Sequence, residues 1–289
     1  MKIPAIVQLH LLVFMWGFTG IMGKLISLKA IPLVWCRIAI AVLLIFFYLR
    51  FFTRESFSFD KKLIFSFLCC GFIIGCHWML FYHSIKVSNI SIATSTLSTG
   101  TLFAALLEPI LFGRKIRISE IFLSIVIIGC IFLIFKTEIT YWKGIVMGIA
   151  SAFLSALFSV INGILYHKGN SSVITFYELL GGLFIVTVFM SFISGWDAVA
   201  VIKIKDVIWL VILGSILTAF PMIVTMKLMK NITPFTLMLS VNMEPVYAIL
   251  IAFFIWEDSE KMNPVFYIAT AGMILAICVN GYLKTKTKG

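Results

Sequence analysis

IAIAVLLIFFYL, residues 38–49, is apolar at every position. A strand of a membrane β-barrel is about 10 residues long and alternates apolar with polar side chains, and this stretch does not alternate. A transmembrane helix needs about 20 predominantly apolar residues to cross the hydrocarbon, and the apolar run around this stretch reaches that length. The stretch therefore predicts a helix that spans a membrane.

The same kind of run recurs along the whole chain. The 289 residues are 62% hydrophobic and 12% charged, and the mean hydropathy is +1.11, whereas a soluble domain has about 25% charged residues. We predict an all-α integral membrane protein with ten transmembrane helices, which leaves little chain for a soluble domain. The predicted spans are 4–26, 32–52, 62–82, 90–112, 118–135, 144–165, 173–194, 206–228, 234–256 and 264–283.

The positions of the basic residues predict how these helices are oriented. With a cytoplasmic N-terminus, fourteen of the 23 Lys and Arg residues fall on the cytoplasmic side, eight fall at outer ends, and Arg37 lies inside a span. Basic residues accumulate on the cytoplasmic side, so both termini are predicted to be cytoplasmic, as an even number of spans requires. The net charge of +11 is therefore attributed to membrane orientation and not to nucleic-acid binding. The first span has no clear cleavage site, and we expect it to be retained in the membrane.

Two Glu-Pro pairs indicate an internal repeat. The pair at 108–109 recurs at 244–245, a shift of 136 residues, and a shift of 140 residues near the start of each half sets Phe18 on Phe158. Each half would hold five spans, and because five is odd the second half would cross the membrane in the opposite direction. Such inverted repeats are common in secondary transporters, whose substrate site lies near the bilayer midplane between the repeats. The predicted repeats are residues 1–138 and 139–289.

Three features of the sequence resemble the EamA branch of the drug/metabolite transporter superfamily. They are WGFTGIMGK at 16–24, PLVWCR at 32–37 and the two Glu-Pro pairs. The resemblance extends over essentially the whole chain as two EamA-like repeats. It implies a ten-helix transporter with a central cavity built from the first four helices of each half, the fifth helix of each packing outside. It also implies export of small metabolites or amino-acid-like solutes, without identifying the solute.

Two acids lie in the Glu-Pro pairs. Glu244 falls about ten residues into its span, roughly 15 Å from the start and near the bilayer centre. A charge there costs about 2.5 to 3.5 kcal/mol, so Glu244 is predicted to contact solute or carry a proton. The alternative is a structural hydrogen bond beside a kink at Pro245. Glu108 lies near the cytoplasmic end of its span, where it either touches solute or pairs with loop cations at an inner gate.

Arg37 is the one basic residue placed well inside a predicted span. Arginine keeps its charge in any plausible setting, so Arg37 is a candidate to bind an anion or form an ion pair. It matches an arginine that is common in the second span of the family. This arginine could equally have a structural role and link its helix to a neighbouring helix. Glu178 lies one residue from the counterpart of Arg37 in the second repeat, and we hypothesise that the two form a charge pair across the repeat interface.

The third span carries a group of aromatic residues. Trp78 and Tyr82 are four residues apart and share one helix face, which predicts either an aromatic cavity wall or an interfacial aromatic belt. His77 either responds to pH or is simply hydrogen-bonded. The remaining candidate cavity residues are Trp16, Asn162, Asn242 and Tyr247.

The function is predicted from what the sequence contains and lacks. It has no phosphate-binding loop, zinc-binding pair or nucleophile elbow, and its six cysteines show no metal-binding spacing, so we predict no cofactor, no metal and no catalytic residues. The leading hypothesis is a secondary transporter of the bacterial inner membrane that exports a small-molecule solute by alternating access. We expect membrane lipids as partners and consider proton coupling, with monomer and homodimer both open. The alternatives are an intramembrane enzyme for lipid-linked substrates and a non-transporting membrane scaffold.

Overall fold

A computed structural model describes residues 4–53, 55, 57, 59–113, 115, 118–193, 195–256 and 260–286. Over these residues the chain is helical and contains no strand. A 3-10 turn lies at Ile139–Tyr141 and a π-helical segment at Ser215–Ala219. The α-helices are α1 (Ala5–Leu25), α2 (Ala30–Phe52), α3 (Lys61–Val87), α4 (Ile90–Leu97), α5 (Gly100–Phe112), α6 (Ile118–Thr137), α7 (Trp142–Leu165), α8 (Ser171–Phe192), α9 (Trp196–Ala200), α10 (Ile204–Gly214), α11 (Phe220–Leu228), α12 (Pro234–Val241), α13 (Glu244–Ile255) and α14 (Pro264–Lys286).

Eight segments are long and apolar enough to cross a membrane. Large apolar side chains such as Phe192 and Phe254 are exposed on the outer surface, where they would meet lipid. The chain is therefore a multi-pass, all-helical membrane protein. Helices α6 and α14 contain shorter described apolar stretches, Ile125–Thr137 and Pro264–Ala276, so the count of ten spans stays a prediction. The eight segments are Ala5–Leu25, Ala30–Phe52, Lys61–Val87, Ile90–Phe112, Ile139–Leu165, Ser171–Phe192, Ile204–Leu228 and Pro234–Ile255.

Two of these segments are broken near their middle. The fourth is interrupted at residues 98–99, where the amide N–H groups of Ser98 and Thr99 bond to carbonyls three residues back, at 3.3 and 3.1 Å. The eighth is interrupted at residues 242–243 with the same tightened pattern. This second break directly precedes Pro245, as expected for a residue that has no N–H to continue the helix. The first break does not lie at Pro109, because α5 continues through that residue.

The π-helical segment lies between α10 and α11, just before Pro221. Proline lacks an N–H and its ring crowds the carbonyl four residues earlier, which a π turn accommodates by widening the helix. The hydroxyl of Thr218 donates to the carbonyl of Leu213, five residues back, at 2.5 Å. The widened turn therefore lets the Thr218 hydroxyl bond to the carbonyl five residues back, whereas in a regular helix such a hydroxyl bonds to the carbonyl three or four residues back.

The bundle has two ends, which we name after residues of the first helix. Helix α1 runs from the Pro4 side to the Lys24 side, and the short connections make successive spans alternate in direction. Helices α6 and α14 pack against each other through Ile134 and Phe266 and through Ile127 and Met273. Neither lines the cavity described below, which agrees with the outer position implied for the fifth helix of each half.

Candidate functional site

A cavity lies in the centre of the bundle, between α1, α2, α3, α4, α7, α11, α12 and α13. Including its open part, it has an empty volume of about 820 Å³. Its lining continues from Arg37 and Glu244, in the middle of their spans, to Met229 and Leu237, at the Pro4 ends of theirs. The cavity therefore extends toward the Pro4 side. Six predicted site residues line it: Trp16, Arg37, His77, Trp78, Asn162 and Glu244.

Arg37 is 3% exposed and is held by three neighbours. Its Nε donates to Thr218 Oγ1 at 2.6 Å, and its Nη1 donates to Tyr82 Oη at 2.9 Å. The guanidinium carbon lies 4.0 Å from the centroid of the Trp78 ring, a cation–π geometry. These contacts fix the plane of the guanidinium, and Arg37 is part of the cavity lining.

Glu244 reaches the same cavity from the opposite half of the chain. It is the first residue of α13, immediately after the helix break, and is 4% exposed. Among the described residues, no ion pair within 4.0 Å joins Glu244 to Arg37. A buried guanidinium and a buried carboxyl group therefore face one cavity without direct contact.

The rest of the wall is aromatic, hydroxyl-bearing and rich in methionine. The Nδ1 of His77 lies 2.9 Å from the Ser151 carbonyl oxygen and 2.8 Å from Ser151 Oγ, so the imidazole ties α3 to α7. The ring also packs against Phe158 at 5.6 Å between centroids. Methionine is flexible and polarisable, and a wall of this kind adapts to different apolar groups. The methionines that line the cavity are Met222, Met226, Met229 and Met238.

Five predicted site residues lie outside the lining. Tyr82 is buried behind Arg37 and positions it. The Nδ2 of Asn242 donates to Thr101 Oγ1 at 2.6 Å and thereby joins the two helix breaks. Tyr247 packs edge-on against Phe14 on the first helix. The other two are Glu108 and Glu178.

The predicted pairing of Arg37 with Glu178 is wrong in this structure. Arg37 turns toward Thr218 and Tyr82 instead. Glu178 is fully buried between helices, where its Oε2 accepts a long bond from Asn162 Nδ2 at 3.5 Å. The reason is depth: each residue lies seven positions after the first residue of its helix, but α2 begins at the Lys24 side and α8 at the Pro4 side. Glu178 therefore lies beside Gly71 of α3, whereas Arg37 reaches Trp78 and Tyr82 further along that helix.

The sequence analysis missed several residues that build the site. Three of these residues carry a hydroxyl group within an apolar run, and this was the only indication in the sequence that they belong to the site: Thr218, Ser155 and Ser159. Thr218 also lies three residues before Pro221, and a proline inside a span was a usable sign of irregular helix nearby. The methionines gave no signal, because they also occur as ordinary core residues.

The Lys24 side of the bundle is closed by buried acids. Glu260, 1% exposed, accepts from Lys24 Nζ at 2.8 Å and from the backbone N–H groups of Ile90 and Ser91 at 3.2 and 3.0 Å. Asp206 accepts bonds from the backbone N–H and the hydroxyl of Ser27. Both acids come from the second half of the chain: Glu260 holds the end of α1 and the first turn of α4, and Asp206 holds the connection between α1 and α2.

A membrane-spanning helical bundle around a closed-ended, charged central cavity has the architecture of a membrane transporter. The chain belongs to the EamA-like transporter family, whose model matches residues 3–136 and 142–282. This confirms the resemblance to the drug/metabolite transporter superfamily. A comparison with curated proteins gave no match.

Solved structures share the fold. Twenty-eight chains of solved structures match this chain. One of them, a crystal structure, superimposes with a TM-score of 0.68 at 13% sequence identity, and the match covers 96% of this chain and 97% of the other. At this identity the likeness establishes the fold alone.

Proposed function

We propose that the protein is a secondary transporter that exports a small organic solute by alternating access at a midplane site between two inverted five-helix repeats. Its setting would be the bacterial inner membrane, with ten spans and cytoplasmic termini. One observation carries the proposal: Arg37 and Glu244, from the two separately matched halves of the chain, face one cavity without direct pairing. Two opposite charges kept apart in a buried space are costly unless a ligand completes them.

The cavity chemistry favours an amino-acid-like solute. A carboxylate would accept two parallel hydrogen bonds from the guanidinium of Arg37, which Thr218 and Tyr82 orient. An ammonium group would approach the Glu244 carboxylate. An apolar side chain would meet Trp16, Trp78 and the methionines of the wall. A zwitterionic solute would thus form one ion pair with Arg37 and a second with Glu244, two residues that do not pair with each other.

The two ends of the bundle support alternating access. The cavity extends toward the Pro4 side, which the distribution of basic residues predicts to be cytoplasmic. The Lys24 side is closed by Glu260 and Asp206, which tie one half of the chain to the other. Release to the outside would require these bonds to separate while the Pro4 side closes.

Counterflow in proteoliposomes tests the proposal. Wild-type protein should exchange at least one member of a labelled library of amino acids and related metabolites. Arg37→Gln and Glu244→Gln should each lower exchange about tenfold or more, because each leaves one charged group of the bound solute without its partner in the cavity. Glu108→Gln is the matched control: it removes the acid of the other Glu-Pro pair, which does not line the cavity, and should leave exchange within about twofold.

The same assay at two pH values tests proton coupling. If Glu244 carries the proton, Glu244→Gln removes the pH dependence of exchange, and Glu108→Gln keeps it. Exchange unchanged in both cavity variants would contradict the assigned site. No exchange of any solute by the wild-type protein would contradict transport itself, and product formation from lipid extract would then favour the intramembrane enzyme over the scaffold.

A further inference from the structure

A second recess lies on the outer surface of the bundle, separate from the central cavity. This groove runs between α2 and the stretch formed by the π-helical segment and α11. Its walls are almost wholly apolar, and Leu44, Ile216 and Phe220 are among its exposed side chains. In a membrane this groove faces lipid. A single charged side chain, that of Lys227, lies in its lining.

The groove has the length of one acyl chain. Ser215 lies at one end and Lys227 at the other, twelve residues apart along the helix and therefore about 18 Å. Half of the hydrocarbon thickness is about 15 Å. Since Lys227 is the penultimate residue of α11 at the Pro4 side, the groove runs from near the bilayer midplane to the membrane surface.

The polar groups of the groove are arranged so that only its surface end is charged. The hydroxyl of Ser215 donates to the Val211 carbonyl at 2.5 Å, so the deep end offers no free donor. Lys227 is exposed and forms no ion pair with another residue of the described chain. Tyr48, also exposed, lies in the lining near the same end. An occupant must therefore be apolar over most of its length and anionic at the surface end.

We propose that this groove is a binding site for an anionic phospholipid, with one acyl chain lying along the π-helical segment and the phosphate paired with Lys227. A basic residue at the membrane surface attracts anionic headgroups. Charge complementarity at one end and apolar length at the other select this occupant over a zwitterionic lipid, whose own ammonium group competes with Lys227 for the phosphate.

The occupied groove would also bear on the transport site. The π-helical segment lines the groove through Ile216 and Ala219 on its outer face. Between them, Thr218 points inward and accepts the hydrogen bond from Arg37. A lipid chain packed on the outer face fills the space into which this widened turn could otherwise move. The lipid therefore supports the segment that orients Arg37.

Native mass spectrometry of the purified full-length protein tests the site. Detergent-solubilised protein is mixed with phosphatidylglycerol or with phosphatidylcholine of the same chain length, and retained lipid is counted. We expect one phosphatidylglycerol to be retained at lower concentration than phosphatidylcholine. Lys227→Gln should weaken phosphatidylglycerol retention about fivefold and leave phosphatidylcholine unchanged, whereas Ile216→Trp should fill the groove and weaken retention of both lipids.

Two matched variants control for general effects. Lys230→Gln removes the neighbouring basic residue, and Ile208→Trp enlarges an exposed apolar residue of α10 outside the groove. Both should retain lipid within about twofold of the wild type. All four substitutions lie at exposed positions, and thermal unfolding verifies that each variant is folded. Equal retention of the two lipids by the wild type, or losses in the controls as large as in Lys227→Gln and Ile216→Trp, would overturn the proposal.

Discussion

Among the contacts between the two halves of the chain, two helix crossings are built in different ways. In the tight crossing, α3 packs on α8 at Gly71 and Gly181. A Cβ on Gly71 would overlap the carbonyl oxygen of Glu178, and one on Gly181 would overlap the carbonyl oxygen of Leu68. Two backbones are therefore in direct contact, the arrangement that small residues permit between membrane helices.

In the open crossing, α2 meets the π-helical segment at Arg37 and Thr218. It is held by the charged hydrogen bond between these two side chains, at 2.6 Å. The helix is irregular here, and the lipid-facing groove lies beside it. This crossing includes a charged side-chain pair, whereas the tight crossing is formed by direct contact between two backbones.

The difference indicates where the molecule can rearrange. Packed glycines allow a small set of positions, since any shift brings backbone atoms into collision. A π segment that faces a lipid-exposed groove instead of a packed helix can change its local turn, and such segments are frequent at functional sites. If the halves rock during transport, we expect the tight crossing to act as the pivot and the open crossing to change most. Three substitutions test this comparison.

The largest effect is expected for Gly71→Ala. The added methyl group overlaps backbone that cannot move aside, so we expect destabilisation by about 3 kcal/mol or more and loss of the monodisperse peak in size-exclusion chromatography. Gly129→Ala is the matched control: it adds the same methyl group inside a helix where nothing lies within 4 Å. The control should unfold at the wild-type temperature or above. A monodisperse Gly71→Ala protein with wild-type stability would show that this crossing is not tightly packed.

A smaller loss is expected for Thr218→Val at the open crossing. Valine keeps the shape but leaves Arg37 Nε without its acceptor, and a hydrogen bond to a charged group contributes about 1.5 to 3 kcal/mol. Thermal unfolding in detergent measures the loss. Thr225→Val is the control, because its buried hydroxyl has no hydrogen-bond partner and its removal should change stability by about 0.5 kcal/mol or less. Equal stability of the two variants would mean that the open crossing does not depend on the Arg37 bond.

The sequence predicted the parts of this comparison that depend on the membrane. For α2 the predicted span was 32–52 and the observed helix is Ala30–Phe52; for α8 the corresponding ranges are 173–194 and Ser171–Phe192. The hydrocarbon fixes how many apolar residues a span needs, so composition alone locates its ends closely. The burial of Arg37 and Glu244 in a shared cavity follows from the same cost, because a charge at this depth must avoid lipid.

The partners of these residues could not be predicted in the same way. Thr218, which binds Arg37, is 181 residues distant in sequence, and its position depends on a π turn that no periodicity reveals. The expected partner, Glu178, has the right charge, but it lies nearer the Pro4 side than Arg37 and packs against α3 at Gly71. Which residues meet across helices is decided by how the surfaces of two helices fit together. This fit cannot be predicted from the residue pattern of each helix taken separately.

The smallest effect is expected for Gly214→Ala, the glycine of the open crossing. A Cβ there would lie 2.7 Å from Ile40 Cγ2 and 3.0 Å from the Arg37 carbonyl oxygen. Rotation of the Ile40 side chain would move Cγ2 but not Ile40 Cβ, which would lie 2.8 Å from the added atom, so the two helices must shift slightly. Alanine gains about 0.8 to 1.0 kcal/mol over glycine in a helix, which offsets part of this cost. We therefore expect a net loss of about 1 kcal/mol, measured beside Gly272→Ala, whose nearest atom would be Cys130 Sγ at 3.9 Å. A loss as large as that of Gly71→Ala would mean that both crossings are rigid, and the rearrangement during transport would then have to occur within the halves and not between them.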